Sequence, residues 1–206
     1  MLKKERKSVA DFMVRLYERG LSTASGGNIS LLCGDYVLMT PAALDKGRLK
    51  ARHIVILSRA GENLTPELAP SSEKDMHLEI YKNNSQVKAI VHAHPVTATA
   101  FATTGKSIST DMLSELYAML REPGRVGYAT MGTEDLARQV GKAAREYRAL
   151  LLDNHGVLTT GKTLLEAFDR VELLEIAAKT TLINEFLKQK NCLSGEDLDK
   201  LARIIP

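Results

Sequence analysis

Hydrophobic positions recur at helical spacing near the start of the chain: Val9, Phe12, Met13, Leu16 and Tyr17 share one stripe, and Gly20 stands where a helix ends. The run Ser22-Thr23-Ala24-Ser25-Gly26-Gly27-Asn28 holds no large apolar side chain and reads as a loop. Tyr36-Val37-Leu38-Met39-Thr40, closed by Pro41, reads as a strand. So does His53-Ile54-Val55-Ile56-Leu57, with a turn at Gly61-Glu62-Asn63 behind it, and the two are expected to pair antiparallel. A helix is predicted over 71–82, with Ser71 or Ser72 available as its cap. Val87-Lys88-Ala89-Ile90-Val91 gives a third strand, ended by residues 92–95 and followed by a small-residue helix over 96–103. Helices are expected over 111–120 and 134–147, separated by a loop with Pro123, Gly124 and Gly127. Ala149-Leu150-Leu151-Leu152 reads as a buried strand leading into Asp153-Asn154-His155-Gly156. The longest helix follows, with Ala167, Val171, Leu174, Ala178, Leu182 and Phe186 on one stripe, and a short helix over 195–204 closes the chain. No internal repeat, low-complexity stretch or linker interrupts this pattern. It predicts one α/β domain over residues 1–206, with a largely antiparallel sheet covered by helices.

Composition narrows the function classes. The 206 residues are 44% hydrophobic and 26% charged, enough for one sizeable core and too few for two comfortable domains. The net charge is +3, aromatics make up 5%, and only Lys3, Lys4, Arg6 and Lys7 cluster. A nucleic-acid binder would carry a basic stripe interleaved with aromatics, so no nucleic-acid partner is expected. Asp11, Arg15 and Glu18 break the segment behind the basic start, so it reads as a helix and not as a signal peptide. No apolar run reaches the length of a membrane span. Cys33 and Cys192 make no disulfide framework. The expected address is cytoplasmic, with no membrane partner.

Three histidines carry the chemistry. His92 and His94 end a strand in His92-Ala93-His94-Pro95, and side chains at i and i+2 point to the same face, so both imidazoles can reach one ion. Spacing alone also fits two polar residues at a solvated strand end. His155 directly follows another apolar strand, with Gly156 behind it to let the backbone turn. If the two strands share a sheet, three neutral imidazoles meet with an open position, which describes a catalytic zinc centre; Mn²⁺, Co²⁺ or Fe²⁺ are alternative occupants. His53 and His77 lack such a setting and read as structural. Ser71-Ser72-Glu73 offers hydroxyls and N–H groups for an anion and a carboxylate for acid–base work, although a plain capped helix start reads from the same residues. Gly26-Gly27-Asn28 is a second candidate anion loop, with an ordinary turn as the plainer alternative.

The order of these pieces resembles the class II aldolase/adducin family, most closely its L-fuculose-1-phosphate aldolase-like branch. The matching stretches are Gly20-Leu21, Gly26-Gly27-Asn28-Ile29-Ser30, Thr40-Pro41, Pro70-Ser71-Ser72-Glu73, Met76-His77, Ile80-Tyr81, Val91-His92-Ala93-His94-Pro95 and Asn154-His155-Gly156-Val157, with Gly161 and Glu166-Ala167. They span residues 9–190. The resemblance implies an α/β/α layered domain with a mainly antiparallel central sheet, assembled as a homotetramer. It implies one zinc per subunit on His92, His94 and His155, with Glu73 as a fourth ligand that swings away to act as catalytic base. It places Asn28, Ser71 and Ser72 on the phosphate of a small sugar-phosphate substrate. The implied reaction is aldol cleavage of a ketose phosphate to dihydroxyacetone phosphate and an aldehyde.

Two stretches depart from the family pattern. Where phosphate-binding members show Thr-Pro-x-Gly, this chain has Thr40-Pro41-Ala42-Ala43, so the anion is expected to be held differently, with Lys46 as a substitute grip. Where the aldolases carry an acidic tyrosine, Ser109-Thr110-Asp111-Met112-Leu113 stands, and the nearest tyrosine is Tyr117. The rival functions are decarboxylation, dehydration or epimerisation of a related sugar (acid) phosphate, a non-catalytic adducin-like binding protein, and a binding module with a purely structural metal. Aspartate replaces the Glu73 carboxylate in the family's epimerases, which disfavours that option.

Overall fold

The computed structural model describes residues 2–204. The helices are α1 (Lys3–Glu18), α2 (Lys74–Asn83), α3 (Val96–Ala102), α4 (Ser114–Leu120), α5 (Glu134–Ala143), α6 (Leu164–Leu187) and α7 (Gly195–Ile204). The strands are β1 (Asn28–Cys33), β2 (Tyr36–Met39), β3 (Val55–Ser58), β4 (Ala89–Ala93), β5 (Gly124–Val126), β6 (Ala149–Leu152) and β7 (Gly156–Gly161). They form one sheet in the order β3-β2-β1-β4-β7-β6-β5, antiparallel throughout except for the parallel β5–β6 pair.

The sheet is buried on both faces, which gives the α/β/α layering. Successive strand residues point to opposite sides, so the uniform run of β6 divides its side chains: Ala149 and Leu151 join one core, Leu150 and Leu152 the other. The first core lies under α1, α3, α4 and α6, with Met13, Phe101, Leu116, Phe168 and Leu174 among its members. The second lies under α2 and α5, with Met76, Ile80, Leu136 and Val140.

Several sequence expectations need correction. β1 falls almost wholly where no element was assigned, β5 where a loop was expected, and β7 where a direct passage into the long helix was expected. β1 and β7 carry polar residues that nevertheless sit in the interior: Ser30 and Thr159 are both 0% exposed, and the Thr159 hydroxyl donates to the Ala167 carbonyl at 2.6 Å. β5 is only Gly-Arg-Val, too short for a period to show. The helix expected from 71 begins at Lys74; Ser71 and Ser72 do not cap it, and Glu73 occupies the cap position. The α6 stripe also ends early. Thr181 is its last buried residue, and Leu182 and Phe186 are 52% and 86% exposed. At ~1.5 Å per residue, a helix of 24 residues outruns the sheet it covers. No helix among the described residues is long and apolar enough to cross a membrane.

Candidate active site

Strands β4 and β7 are antiparallel neighbours, so the chain leaves β4 at the end of the sheet where it enters β7. His92 on β4, His94 just past it and His155 just before β7 therefore gather at one end. One nitrogen from each lies within 4.8 Å of the other two. Ring centroids are 4.7 Å apart for His92–His94 and His92–His155, and 5.8 Å for His94–His155. Close backbone approach makes this possible. A Cβ on Gly156 would stand 2.6 Å from His94 Cδ2, and Gly27, at φ +67°, passes so near that a Cβ would lie 2.9 Å from the His92 carbonyl oxygen.

The protonation states follow from the contacts. His92 Nδ1 is 2.9 Å from the Val157 carbonyl oxygen, which only accepts, so Nδ1 carries the proton and Nε2 presents a lone pair. Nε2 is buried with no hydrogen-bond partner, and Glu73 Oε2, another acceptor, stands 3.2 Å away. The second oxygen, Oε1, is 3.2 Å from His155 Nε2. Burial pushes the pKa of His92 down and that of His94 down to about 4. Burial pushes the Glu73 carboxyl up, but His92, His155 and Asn28 together outweigh it and hold the group below the usual carboxylate range. The lone pair of His92 Nε2, ring nitrogens of His94 and His155 within 4.8 Å of it and of each other, and a carboxylate beside them fit a divalent cation. His92, His94 and His155 could hold that ion, with Glu73 beside them.

The other residues named from the sequence fall around Glu73. Asn28, opposite His92 on the adjoining strand and 2% exposed, donates from Nδ2 to Glu73 Oε2 at 2.8 Å. Ser71 Oγ accepts from the Glu73 N–H at 3.3 Å. Ser72 is exposed beside this cluster. An isolated bridge between Pro41 and Pro70 and a bond from Ala42 N–H to the Ala69 carbonyl (2.9 Å) lay residues 40–42 along the approach to Ser71. Ala43 adopts φ +53°, the left-handed conformation that the glycine of the Thr-Pro-x-Gly pattern would favour. Tyr117 lies on α4, with the Arg121 guanidinium 5.3 Å from its ring. His77 is fully buried with Nδ1 2.7 Å from Ser30 Oγ, and His53 Nδ1 accepts from the Lys50 N–H at 3.2 Å; both positions fit structural roles.

Two contributors left no local signal in the sequence. The Val157 carbonyl that sets the His92 tautomer is backbone on a strand that was not expected. Glu175, buried on α6, accepts from the N–H groups of Thr97 and Ala98 at the start of α3, and so fixes the turn that leaves His94.

A mainly antiparallel α/β/α fold with three imidazoles and a carboxylate at one sheet end defines the class of the metal-dependent class II aldolases. The family model described as Class II Aldolase and Adducin N-terminal domain matches residues 7–182, and the chain belongs to that family. It is 34% identical to an L-fuculose phosphate aldolase of Methanocaldococcus jannaschii, over 90% of this chain and 99% of that protein. It is 36% identical to a 3-oxo-tetronate 4-phosphate decarboxylase of Pectobacterium atrosepticum, over 98% of this chain and 95% of that one. The solved structure of an L-fuculose 1-phosphate aldolase superposes with a TM-score of 0.89 at 30% identity, covering 97% of this chain and 94% of that chain.

Proposed function

We propose that this enzyme cleaves a small ketose phosphate to dihydroxyacetone phosphate and an aldehyde, with one zinc ion per subunit on His92, His94 and His155. The observation that carries the reading is the position of Glu73, whose two oxygens stand 3.2 Å from His92 Nε2 and His155 Nε2. The donor set suits zinc, with Mn²⁺, Co²⁺ or Fe²⁺ as alternative occupants. When bound, such an ion supplies Lewis-acid stabilisation for the negative charge that develops on the substrate's oxygens. Glu73 closes the resting site and, displaced by substrate, exchanges the proton at the carbon next to the carbonyl. Asn28 holds one oxygen of that carboxylate and limits how far it turns. Ser71 and Ser72, with Asn28, border the place for the substrate phosphate, where the two hydroxyls and the start of α2 favour an anion.

Decarboxylation of a 3-oxo acid phosphate is the second reading. It is favoured by the similarity to the Pectobacterium decarboxylase and by Ala42-Ala43 in place of the phosphate-binding pair. Both reactions leave an enolate whose charge the same ion would stabilise and whose carbon must then be protonated, a transfer for which Glu73 is placed. An adducin-like binding role is disfavoured because the full set of histidines and Glu73 is present. Incubating zinc-loaded protein with ketose 1-phosphates and 3-oxo acid phosphates and weighing the products decides between them. Dihydroxyacetone phosphate means aldolase, carbon dioxide means decarboxylase, and no turnover of either set overturns both readings.

We also place the enzyme in the cytoplasm as a homotetramer. The apolar residues that α6 leaves exposed beyond Thr181, Leu182, Ile183, Phe186 and Leu187, support contact between subunits.

A further inference from the structure

Lys46 is 2% exposed, and it heads the fully buried side chains in volume. Its Nζ donates to the Pro41 carbonyl and its own N–H to the Ala24 carbonyl at 2.8 Å. It therefore ties together two backbone segments, residues 22–27, which lead into Asn28, and residues 40–43, which pair with the stretch just before Ser71. Among the described residues it makes no ion pair. Burial alone pushes its pKa down to about 8, with no carboxylate acting against that shift.

An ammonium taken out of water needs a counter-charge or a full set of acceptors. Among the described residues Lys46 has one acceptor, the Pro41 carbonyl, for three protons, and no carboxylate partner. The segments it joins border the place assigned above to the substrate's phosphate, and one of them carries Ala42-Ala43, which lacks the expected hydroxyl and sets a methyl beside the N–H of residue 43. A positive charge in a low-dielectric interior acts over several ångströms with little screening. Direct contact with the anion is not required.

We infer that Lys46 is a specificity-determining residue of the cleft, whose buried charge selects a phosphate monoester dianion in place of the hydroxyl missing at Ala42. This rests on the reading of the cleft as a sugar-phosphate site, but not on which bond the enzyme breaks. The charge offsets the electrostatic cost of packing a dianion against neutral donors. A neutral or singly charged group in the same place gains correspondingly less from it.

The test measures inorganic phosphate binding by calorimetry and by thermal shift in the wild type, Lys46→Met and Lys46→Gln. Methionine removes charge and donor, whereas glutamine keeps a donor for Pro41 and removes only charge. The expected result is that phosphate raises the wild-type melting midpoint, and that both variants bind it roughly ten- to a hundredfold more weakly. Without ligand, Lys46→Met should melt at or above the wild-type temperature, because a buried unpaired charge has gone. Wild-type affinity in Lys46→Gln overturns the inference and leaves Lys46 as a brace for Pro41. Absence of phosphate binding in the wild type overturns it without need of a variant. Product analysis is a separate readout: turnover of a sugar phosphate with unchanged affinity in Lys46→Gln defeats this inference alone. Weakened phosphate binding in both variants, with no product from any substrate, defeats the proposed reaction alone.

Discussion

Asn28 Nδ2 stands 2.8 Å from Glu73 Oε2, the same oxygen that faces His92 Nε2 at 3.2 Å. A residue on β1 thus positions the carboxylate that meets a residue on β4, and the register Asn28↔His92 makes the arrangement a property of the sheet. Asn28→Ala should keep the fold and the metal, because it removes no ligand. Loss of a hydrogen bond to a charged group is worth about 1.5–3 kcal/mol, so the rate should fall roughly ten- to a hundredfold. Wild-type kcat with full metal content would show that Glu73 needs no such support.

His92→Ala, His94→Ala and His155→Ala should each abolish stoichiometric metal binding while leaving a folded protein. The nitrogens they remove lie within 4.8 Å of one another, and no other such cluster is found among the described residues. Elemental analysis after dialysis checks this, with circular dichroism to establish folding. Full zinc occupancy in any one variant takes that histidine out of the ligand set.

Glu73→Gln should retain metal and fold and lose roughly 10²–10⁴-fold in rate, the span for a positioned general base. The amide fills the same space and can still bond Asn28 and a neighbouring imidazole, but it takes no proton. The proton exchange of dihydroxyacetone phosphate with deuterated solvent isolates this step. Exchange at the wild-type rate in the variant reduces Glu73 to a structural neighbour of the histidines.

The imidazole cluster was legible because each histidine follows apolar strand residues, whereas Glu73 stood out only through the family resemblance, since Ser71-Ser72-Glu73 by itself also reads as a plain capped helix start. Most helices were legible from their apolar stripes. What stayed hidden depends on contacts between distant parts of the chain. Asn28 belongs to a strand only because β1 lies between β2 and β4; alone, it follows two glycines and reads as loop. Thr159 is a strand residue whose hydroxyl is satisfied by Ala167, a partner that no period reveals. Lys46 stood out as a possible grip for an anion, but a lysine in a polar stretch gives no sign that packing will remove it from water.

Light scattering at micromolar concentration should give a mass four times that of the 22.6 kDa chain. Phe186 is 86% exposed and Leu187 61% on a helix that has outrun its own core. Phe186→Glu should shift the equilibrium toward smaller species by placing a charge on that face. A wild-type monomer contradicts the proposed assembly. A tetramer unaffected by the substitution moves the interface elsewhere.

The last expectation concerns L-fuculose 1-phosphate, the substrate that the family resemblance brings forward first. Ala42 offers no hydroxyl where the Thr-Pro-x-Gly pattern is expected to help hold phosphate, and Ala43 carries a methyl on a left-handed backbone at φ +53°. That conformation costs an L-residue about 1–2 kcal/mol, partly offset because a glycine there would add about 0.4–1 kcal/mol of freedom to the unfolded chain. Ala43→Gly should therefore stabilise the protein by roughly 0.5–1 kcal/mol, seen as a rise of about 1–4 °C in Tm. With Ala42→Thr added, the cleft regains the expected hydroxyl and loses the methyl beside the N–H of residue 43, and kcat/KM for L-fuculose 1-phosphate should rise by about tenfold or more, in line with one hydrogen bond to a charged group. The unaltered enzyme should handle this sugar poorly, below about 10⁴ M⁻¹s⁻¹, the lower edge of the usual range for a natural substrate. Efficient cleavage by the wild type, with no gain in the double variant, would mean that the two alanines leave the phosphate site intact and that the aldehyde portion alone decides specificity.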